Sequence, residues 1–174
     1  LNNYFTSYTK YVKDQVFGRD QWIGLQGLSE TVLFQKNQSG GILLGRQKMM
    51  FARHYSILKN EEKGMAKNLA AVQSLAQRYP GRVNLMLVPS ASVVYPENVP
   101  AGAPQIDEKG ILEGVAAQGE TYGRVIDVLP ALTEHKGEYL YYRTDHHWTT
   151  LGAYYAYQQF CETLGLTPFG RDAH

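Results

Sequence analysis

Residues 83–88 read Val-Asn-Leu-Met-Leu-Val, apolar everywhere but Asn84, and they are cut off by Pro80-Gly81 on one side and Pro89 on the other. A strand with one wet face alternates apolar and polar residues. A short unbroken apolar run between turn residues is the pattern of a strand covered on both faces, as in a parallel sheet flanked by helices. The preceding residues supply such a helix. Met65, Leu69, Val72 and Ala76 recur at three- and four-residue spacing, which places them on one helical face. Asn60 is the expected N-cap, with Glu61 and Glu62 in the first turn, where the helix dipole favours acids. Farther along, Asp107 caps a helix to about Ala117, residues 124–128 and 139–142 read as short strands, and residues 129–134 make a helical turn between them. Thr149 or Thr150 caps a final helix carrying Leu151, Ala153, Tyr154, Tyr157, Phe160 and Leu164, which Gly165 closes. From residue 60 the order is helix, strand, helix, strand, strand, helix. Such alternation predicts an α/β fold with a mainly parallel sheet, with all three strands in that sheet.

Upstream, Phe5, Tyr8, Tyr11 and Val12 mark a helix over residues 2–17. After Gly18, a second helix is expected over residues 19–34, with Trp22, Ile23, Leu25, Leu28, Val32 and Leu33 near one side. Gly40-Gly41 opens a pair of short strands, residues 42–45 and 49–51, around a tight connection. The expected organisation is therefore a helical region over residues 1–35 and an α/β domain over residues 36–174. At 44% hydrophobic the chain can bury a core, and at 19% charged with net charge +1 it has no signature of a nucleic-acid binder or a disordered tail. The thirteen tyrosines suit core rims and, equally, polar-ligand clefts. The single cysteine, Cys161, sits among Tyr157, Phe160 and Leu164 and reads as a buried helix residue rather than a nucleophile. No run approaches the ~20 apolar residues that span a bilayer.

In an open α/β sheet, ligands bind beyond the carboxyl ends of the strands. Two segments should lie there. One is the proline-rich loop over residues 89–104. The other is Arg143-Thr144-Asp145-His146-His147-Trp148-Thr149, between an expected strand and a helix start. Histidine takes and returns a proton near neutral pH, and an adjacent carboxylate holds its ring in one tautomer. Three readings of this cluster compete. One is a catalytic His–Asp pair. Another is a metal site, which would need help from His54, His135 or a distant acid, because adjacent residues tend to point apart and three ligands this close seldom converge. The third is structural, with Asp145 capping and a histidine packed. Two histidines beside an aspartate and a tryptophan, after a strand, favour function.

The run around Asp145-His146-His147-Trp148, followed by Gly152-Ala153 on a helix, resembles the defining motif of the DHHW protein family, which is similar to the SGNH-hydrolase-like proteins of the alginate O-acetyltransferase group with their Asp-x-His-Trp run. Residues 5–25, with Phe17, Arg19-Asp20, Trp22 and Ile23, resemble that family's amino-terminal helical region. Leu44-Gly45 to Phe51 is similar to its early hairpin, and Leu87-Val88-Pro89 to Tyr95-Pro96 to its strand and following loop. The resemblance covers most of the chain. It implies a three-layer SGNH-hydrolase-like α/β domain, incomplete in this chain. It implies that Asp145 orients His147 and that His147 serves a serine, with His146 at the variable position and Trp148 packed against the histidine. In the resembling proteins the serine follows a later strand, so it is expected outside these residues. Ser90 is the best internal substitute, at a sheet-top position, but it lacks a Gly-x-Ser-x-Gly or Gly-Asp-Ser setting; a hydroxyl bonding its own loop backbone is the simpler account.

The resulting expectation is part of an exported, serine-dependent O-acyltransferase or esterase acting on a cell-surface polysaccharide. Asp145 and His147 are the expected catalytic residues, and Trp148, Ser90, Tyr95 and Arg143 the expected substrate contacts. No cofactor and no resident metal are expected. Expected partners are the polysaccharide, an acyl donor, a membrane-bound acyltransferase, and another chain paired through an open sheet edge; nucleic acid is not among them. The expected location is the extracellular face of the cell envelope or the medium, with membrane association through a removed amino-terminal segment. The competing class is a non-catalytic carbohydrate-binding or scaffold domain, in which the tyrosines stack on sugars and the cluster only packs.

Overall fold

Gly18, in the left-handed region at φ 68°, separates helices α1 (Asn2–Asp14) and α2 (Arg19–Val32) in the computed structural model, which describes residues 2–15, 17–32, 38–39, 41–54 and 56–171. Phe5, Tyr8, Tyr11 and Val12 lie along α1 as their spacing predicts, and all four are exposed. A two-residue strand, β1 (Gln38–Ser39), follows. Two compact units divide the chain, Leu1–Gly40 and Gly41–His174. The boundary expected after residue 35, and Leu33 with it, falls outside the described residues.

The second unit opens with the expected hairpin: β2 (Ile42–Leu44) pairs antiparallel with β3 (Met50–Ala52), Leu43 beside Phe51. Both of those residues are buried. A 3-10 turn, Arg46–Lys48, joins the strands with Gln47 and Lys48 both at positive φ. Helix α3 (Lys59–Arg78) begins two residues earlier than an N-cap at Asn60 would place it. Its N-cap is Leu58, whose backbone N–H donates to Glu61 Oε2 at 2.8 Å. Glu61, at the third helical position, thus supplies the half of a capping box that reaches back to the N-cap backbone, the half that does not depend on the N-cap side chain.

Strand β4 (Asn84–Leu87) runs parallel to β5 (Arg124–Asp127), from Asn84 beside Arg124 to Leu87 beside Asp127. Contrary to the two-sided burial expected of the apolar run, Leu85, Met86 and Leu87 are half-buried and Val88 is exposed. Among the described residues β4 has a single strand neighbour, β5. The loop after β4 is more ordered than its prolines suggest. It holds the short helix α4 (Ala91–Val94) and a 3-10 turn, Pro96–Asn98, and Pro89, Ala91, Val94, Tyr95 and Asn98 are buried. Helix α5 (Glu108–Ala116) takes its cap from Asp107, whose carboxylate accepts the Gly110 N–H at 2.9 Å.

Helix α6 (Leu129–Glu134) follows β5, and helix α7 (Thr150–Leu164) closes the unit. Thr149 is the N-cap of α7 and Gly165, at φ 68°, its left-handed C-cap. Ile126, Val128, Leu132 and Leu140 are at most 1% exposed and centre the core, and Cys161 is buried in α7 as expected. The strand expected over residues 139–142 is absent. Tyr141 makes only an isolated antiparallel bridge to Trp148. The physical reason is that its neighbours' backbone groups are already used: the Leu140 carbonyl accepts from the Thr149 N–H, and the Tyr142 N–H donates to the His147 carbonyl. The segment folds back on its own continuation instead of joining the sheet. Among the described residues no helix is long and apolar enough to cross a membrane.

Candidate active site

The hairpin formed by residues 140–149 carries the histidine cluster at its tip. Its base is fixed from several sides. Leu140, Tyr141 and Thr149 are 0%, 2% and 6% exposed. The Tyr141 hydroxyl donates to the Pro89 carbonyl at 2.5 Å, tying the hairpin to the carboxyl end of β4. Burial pushes that hydroxyl's pKa up, with the nearby Glu108 charge adding to the shift, so Tyr141 stays a neutral donor. The Thr149 hydroxyl donates to the Tyr139 carbonyl at 2.7 Å and accepts from the Gly152 N–H at 3.3 Å. A Cβ at residue 152 would stand 2.5 Å from the Leu140 carbonyl oxygen, so glycine lets the first turn of α7 lie against the hairpin. The Met50 N–H donates to the Arg143 carbonyl at 2.6 Å, bracing the outgoing arm against β3.

Burial falls off along the returning arm toward the tip: Thr149 is buried, Trp148 is half-buried against the core cluster, and His147 is exposed. Its ring Nδ1 lies 2.6 Å from Asp145 Oδ1, and the same oxygen accepts the His147 backbone N–H at 2.9 Å. The side chains remain open to solvent, Asp145 at 50% and His147 at 64%. The His147 backbone N–H, followed by its ring, holds the Asp145 carboxyl below the ordinary aspartate range. An ionised carboxylate can only accept hydrogen bonds, so in the neutral ring Nδ1 carries the proton and Nε2 the lone pair. This arrangement can accept a proton at Nε2 and stabilise the resulting imidazolium.

His146 does not point away as adjacent residues in a strand would. Its Nδ1 is 3.5 Å from Asp145 Oδ1, and its ring centroid is 4.0 Å from that of His147. One ligand atom from each of Asp145, His146 and His147 lies within 4.8 Å of the other two. Three ligands this close in sequence are expected seldom to converge; here they do come together, because they sit at a tight turn, where side chains fan from a small backbone footprint. His54 and His135 are not part of this group. The His54 carbonyl accepts the Ile106 N–H, while the His135 ring stacks on Tyr155 at 3.7 Å and pairs with Glu138.

Ser90 is engaged elsewhere. Its hydroxyl donates to Glu108 Oε2 at 2.6 Å and its backbone N–H to Glu108 Oε1 at 2.7 Å, with Ser92 Oγ 2.8 Å away. The hydroxyl therefore binds a carboxylate on α5 rather than its own loop backbone. Glu108 gave no signal in sequence beyond being a first-turn acid of α5. Tyr95 is buried, edge-on to Tyr141, and its hydroxyl donates to the Glu138 carbonyl at 3.3 Å. It forms one wall of a cavity of about 170 Å³ that Gln47, Tyr139 and Arg143 also line. The Arg143 guanidinium lies 5.9 Å over the Tyr139 ring. Tyr95 and Arg143 thus share one cavity next to the hairpin, while Ser90 belongs to the Glu108 network.

Residues 42–173 match the protein family described as SGNH hydrolase-like domain, acetyltransferase AlgX. The chain belongs to this family. The AlgX-family match coincides with the second unit and includes the whole hairpin. Over 148 residues the chain is 27% identical to a probable alginate O-acetylase AlgJ of Pseudomonas syringae pv. tomato, covering 82% of this chain and 37% of that protein. In structure it resembles the O-acetyltransferase domain of Pseudomonas putida AlgJ, with TM-score 0.61 and 26% identity over 72% of this chain and 47% of that one. It also resembles a DHHW family protein from Eubacterium siraeum, with TM-score 0.55 and 28% identity over 74% of this chain and 41% of that one. The chain thus spans less than half the length of these relatives. Its fold is α/β of the SGNH-hydrolase type, represented here by the parallel β4–β5 pair and its helices.

Proposed function

We propose that Asp145 and His147 are the orienter and the general base of a serine-dependent O-acyltransferase that modifies a polysaccharide. The observation that carries this reading is the 2.6 Å contact between His147 Nδ1 and Asp145 Oδ1, which leaves Nε2 free at the exposed end of a firmly seated hairpin. In the proposed reaction His147 Nε2 takes the proton of a serine hydroxyl as that oxygen attacks the acyl carbonyl of a donor, and returns it to the leaving oxygen. A sugar hydroxyl, deprotonated by the same nitrogen, then attacks the acyl-serine and regenerates the serine. Water in place of the sugar makes the reaction an esterase.

The serine is proposed to lie in a part of the longer protein outside these 174 residues. The engagement of Ser90 by Glu108 supports this, as does a chain that covers 47% of the P. putida AlgJ domain. The likeness to a probable alginate O-acetylase and to an O-acetyltransferase domain supports acetyl as the acyl group and an alginate-like polysaccharide as the acceptor. Arg143 and Tyr95, on the shared cavity, are the proposed acceptor contacts, with Trp148 seating the pair and Ser90 holding the loop beside it. The same reading includes a membrane-bound acyl-transfer partner and a place on the extracellular side of the envelope, and requires no cofactor.

The test is hydrolysis of an activated acetyl ester, and acetyl transfer to oligosaccharide, by the full-length protein. His147→Ala should remove most turnover. If His147→Ala keeps turnover, or if Ser90→Ala abolishes it, the proposed roles are wrong.

A further inference from the structure

We propose that Asp145, His146 and His147 form a capture site for a zinc-like divalent cation, and that occupancy switches off the general base. This regulatory role rests on the catalytic reading of His147 given above; the metal-binding claim does not.

The donor set is a carboxylate oxygen and two imidazole nitrogens, the ligand chemistry of zinc and other late divalent metals. Zinc bonds of about 2.0–2.1 Å in a tetrahedral site put neighbouring donor atoms about 3.3 Å apart. His146 Nδ1 is 3.5 Å from Asp145 Oδ1, and His147 Nδ1 is 2.6 Å from it. All three donors lie within 4.8 Å of one another. Reaching that spacing changes the two Asp145 separations by less than about 1 Å and closes the histidine pair from at most 4.8 Å; side-chain rotation at this exposed turn supplies both, with a fourth position left for water. The side chains are 50%, 76% and 64% exposed in chain order, so an ion arriving from solution meets no barrier of packed residues. His146 gains a role here that the catalytic pair does not give it: it is the third donor, without which only a two-donor chelate remains.

The consequence for His147 follows from its single ring proton. In the free pair the proton is on Nδ1 and the lone pair on Nε2. A cation on Nδ1 displaces that proton to Nε2, with no net change in ring protonation. Nε2 then becomes a donor and can no longer accept the serine proton. The metal also takes the Asp145 oxygen that fixed the tautomer. A cation bound through Nε2 instead blocks the base directly.

The experiment is calorimetric titration of the full-length protein with zinc chloride, together with nitrogen-15 spectra of the histidine rings. Expected are one zinc per chain, shifts of both the His146 and His147 ring nitrogens, and binding weaker by about tenfold or more in His146→Ala and in His146→Gln, the loss expected when a metal site is disturbed. Turnover of an activated acetyl ester should fall by more than about tenfold at saturating zinc, recover on adding a chelator, and need at least about tenfold more zinc for the same inhibition in either variant. The absence of stoichiometric binding up to about 1 mM zinc, or binding unchanged in both variants, overturns the proposal. Full turnover in His147→Ala would instead sink the catalytic reading, and the capture site would then stand or fall on calorimetry and spectra alone.

Discussion

The two ends of the 140–149 hairpin are built on opposite principles. At the base, Leu140, Tyr141 and Thr149 are nearly inaccessible, and every polar group named there has a partner. At the tip, Asp145, His146 and His147 are at least half exposed, and their contacts are mostly with one another. A proton-transfer group must meet its substrate, so it cannot be buried. It must also hold one geometry, which an exposed loop seldom does by itself. Here the precision comes from below: the buried base sets the backbone, and the backbone N–H of His147 aims the Asp145 carboxylate at the ring of the same residue.

The sharpest way to separate the two ends is to change chemistry without changing the seat. In the full-length protein, His147→Ala and Asp145→Asn should each lower turnover of an acetyl ester by about 10²–10⁴-fold, the usual share of a general base, with His146→Ala costing far less. Both severe variants should change the melting temperature only slightly, because the altered groups are solvated. A large loss of stability in either would mean that the tip helps to hold the base. The converse change, Leu140→Ala, removes a side chain that is 0% exposed. It should destabilise the unit by about 2–5 kcal/mol in denaturant titration while leaving the chemical groups in place; a cost under 1 kcal/mol would show that the base is not a packed anchor.

Gly152→Ala tests the joint between hairpin and α7. Its new Cβ would meet the Leu140 carbonyl at 2.5 Å, so helix or hairpin must shift, at about 1–3 kcal/mol. Turnover should fall along with stability, since the displaced element carries His147. Wild-type turnover in a destabilised Gly152→Ala would break the link between base and tip. The smallest effect concerns the titration of Asp145. Its folded pKa is depressed, so the pair contributes stability above the ordinary aspartate value and loses it as pH falls through the lower folded value. The His147 backbone N–H is the largest cause and the ring the second. In His147→Ala the Asp145 carboxyl resonance should therefore titrate higher than in the parent but still below an ordinary aspartate. A full return to the ordinary value would assign the depression to the ring.

Much of the second unit was legible because its signals are local. Asp107 and Thr149 cap helices through bonds to residues three positions away, and the contact between Asp145 and His147 spans two. The Leu58 cap of α3 was missed although it is equally local, because Asn60 is the better capping residue by type and the satisfied group is a backbone amide. The mutual approach of His146 and His147 was missed for a different reason. Residues 139–142 look like a strand by composition, and a strand leading into the cluster implies diverging neighbours.

What the amino-acid sequence determined by itself is the type and order of most elements, the caps that bound several of them, and the identity of the residues at the hairpin tip. These follow from side-chain spacing and from turn chemistry over a few positions. Only the tertiary structure decided that residues 139–142 are one arm of a hairpin, that the Ser90 hydroxyl is taken by Glu108 18 positions later, and that the Tyr141 hydroxyl reaches the Pro89 carbonyl 52 positions earlier. A backbone amide or a hydroxyl will bond to whichever acceptor packing brings within reach, and nothing in the local pattern of residues names a partner that distant.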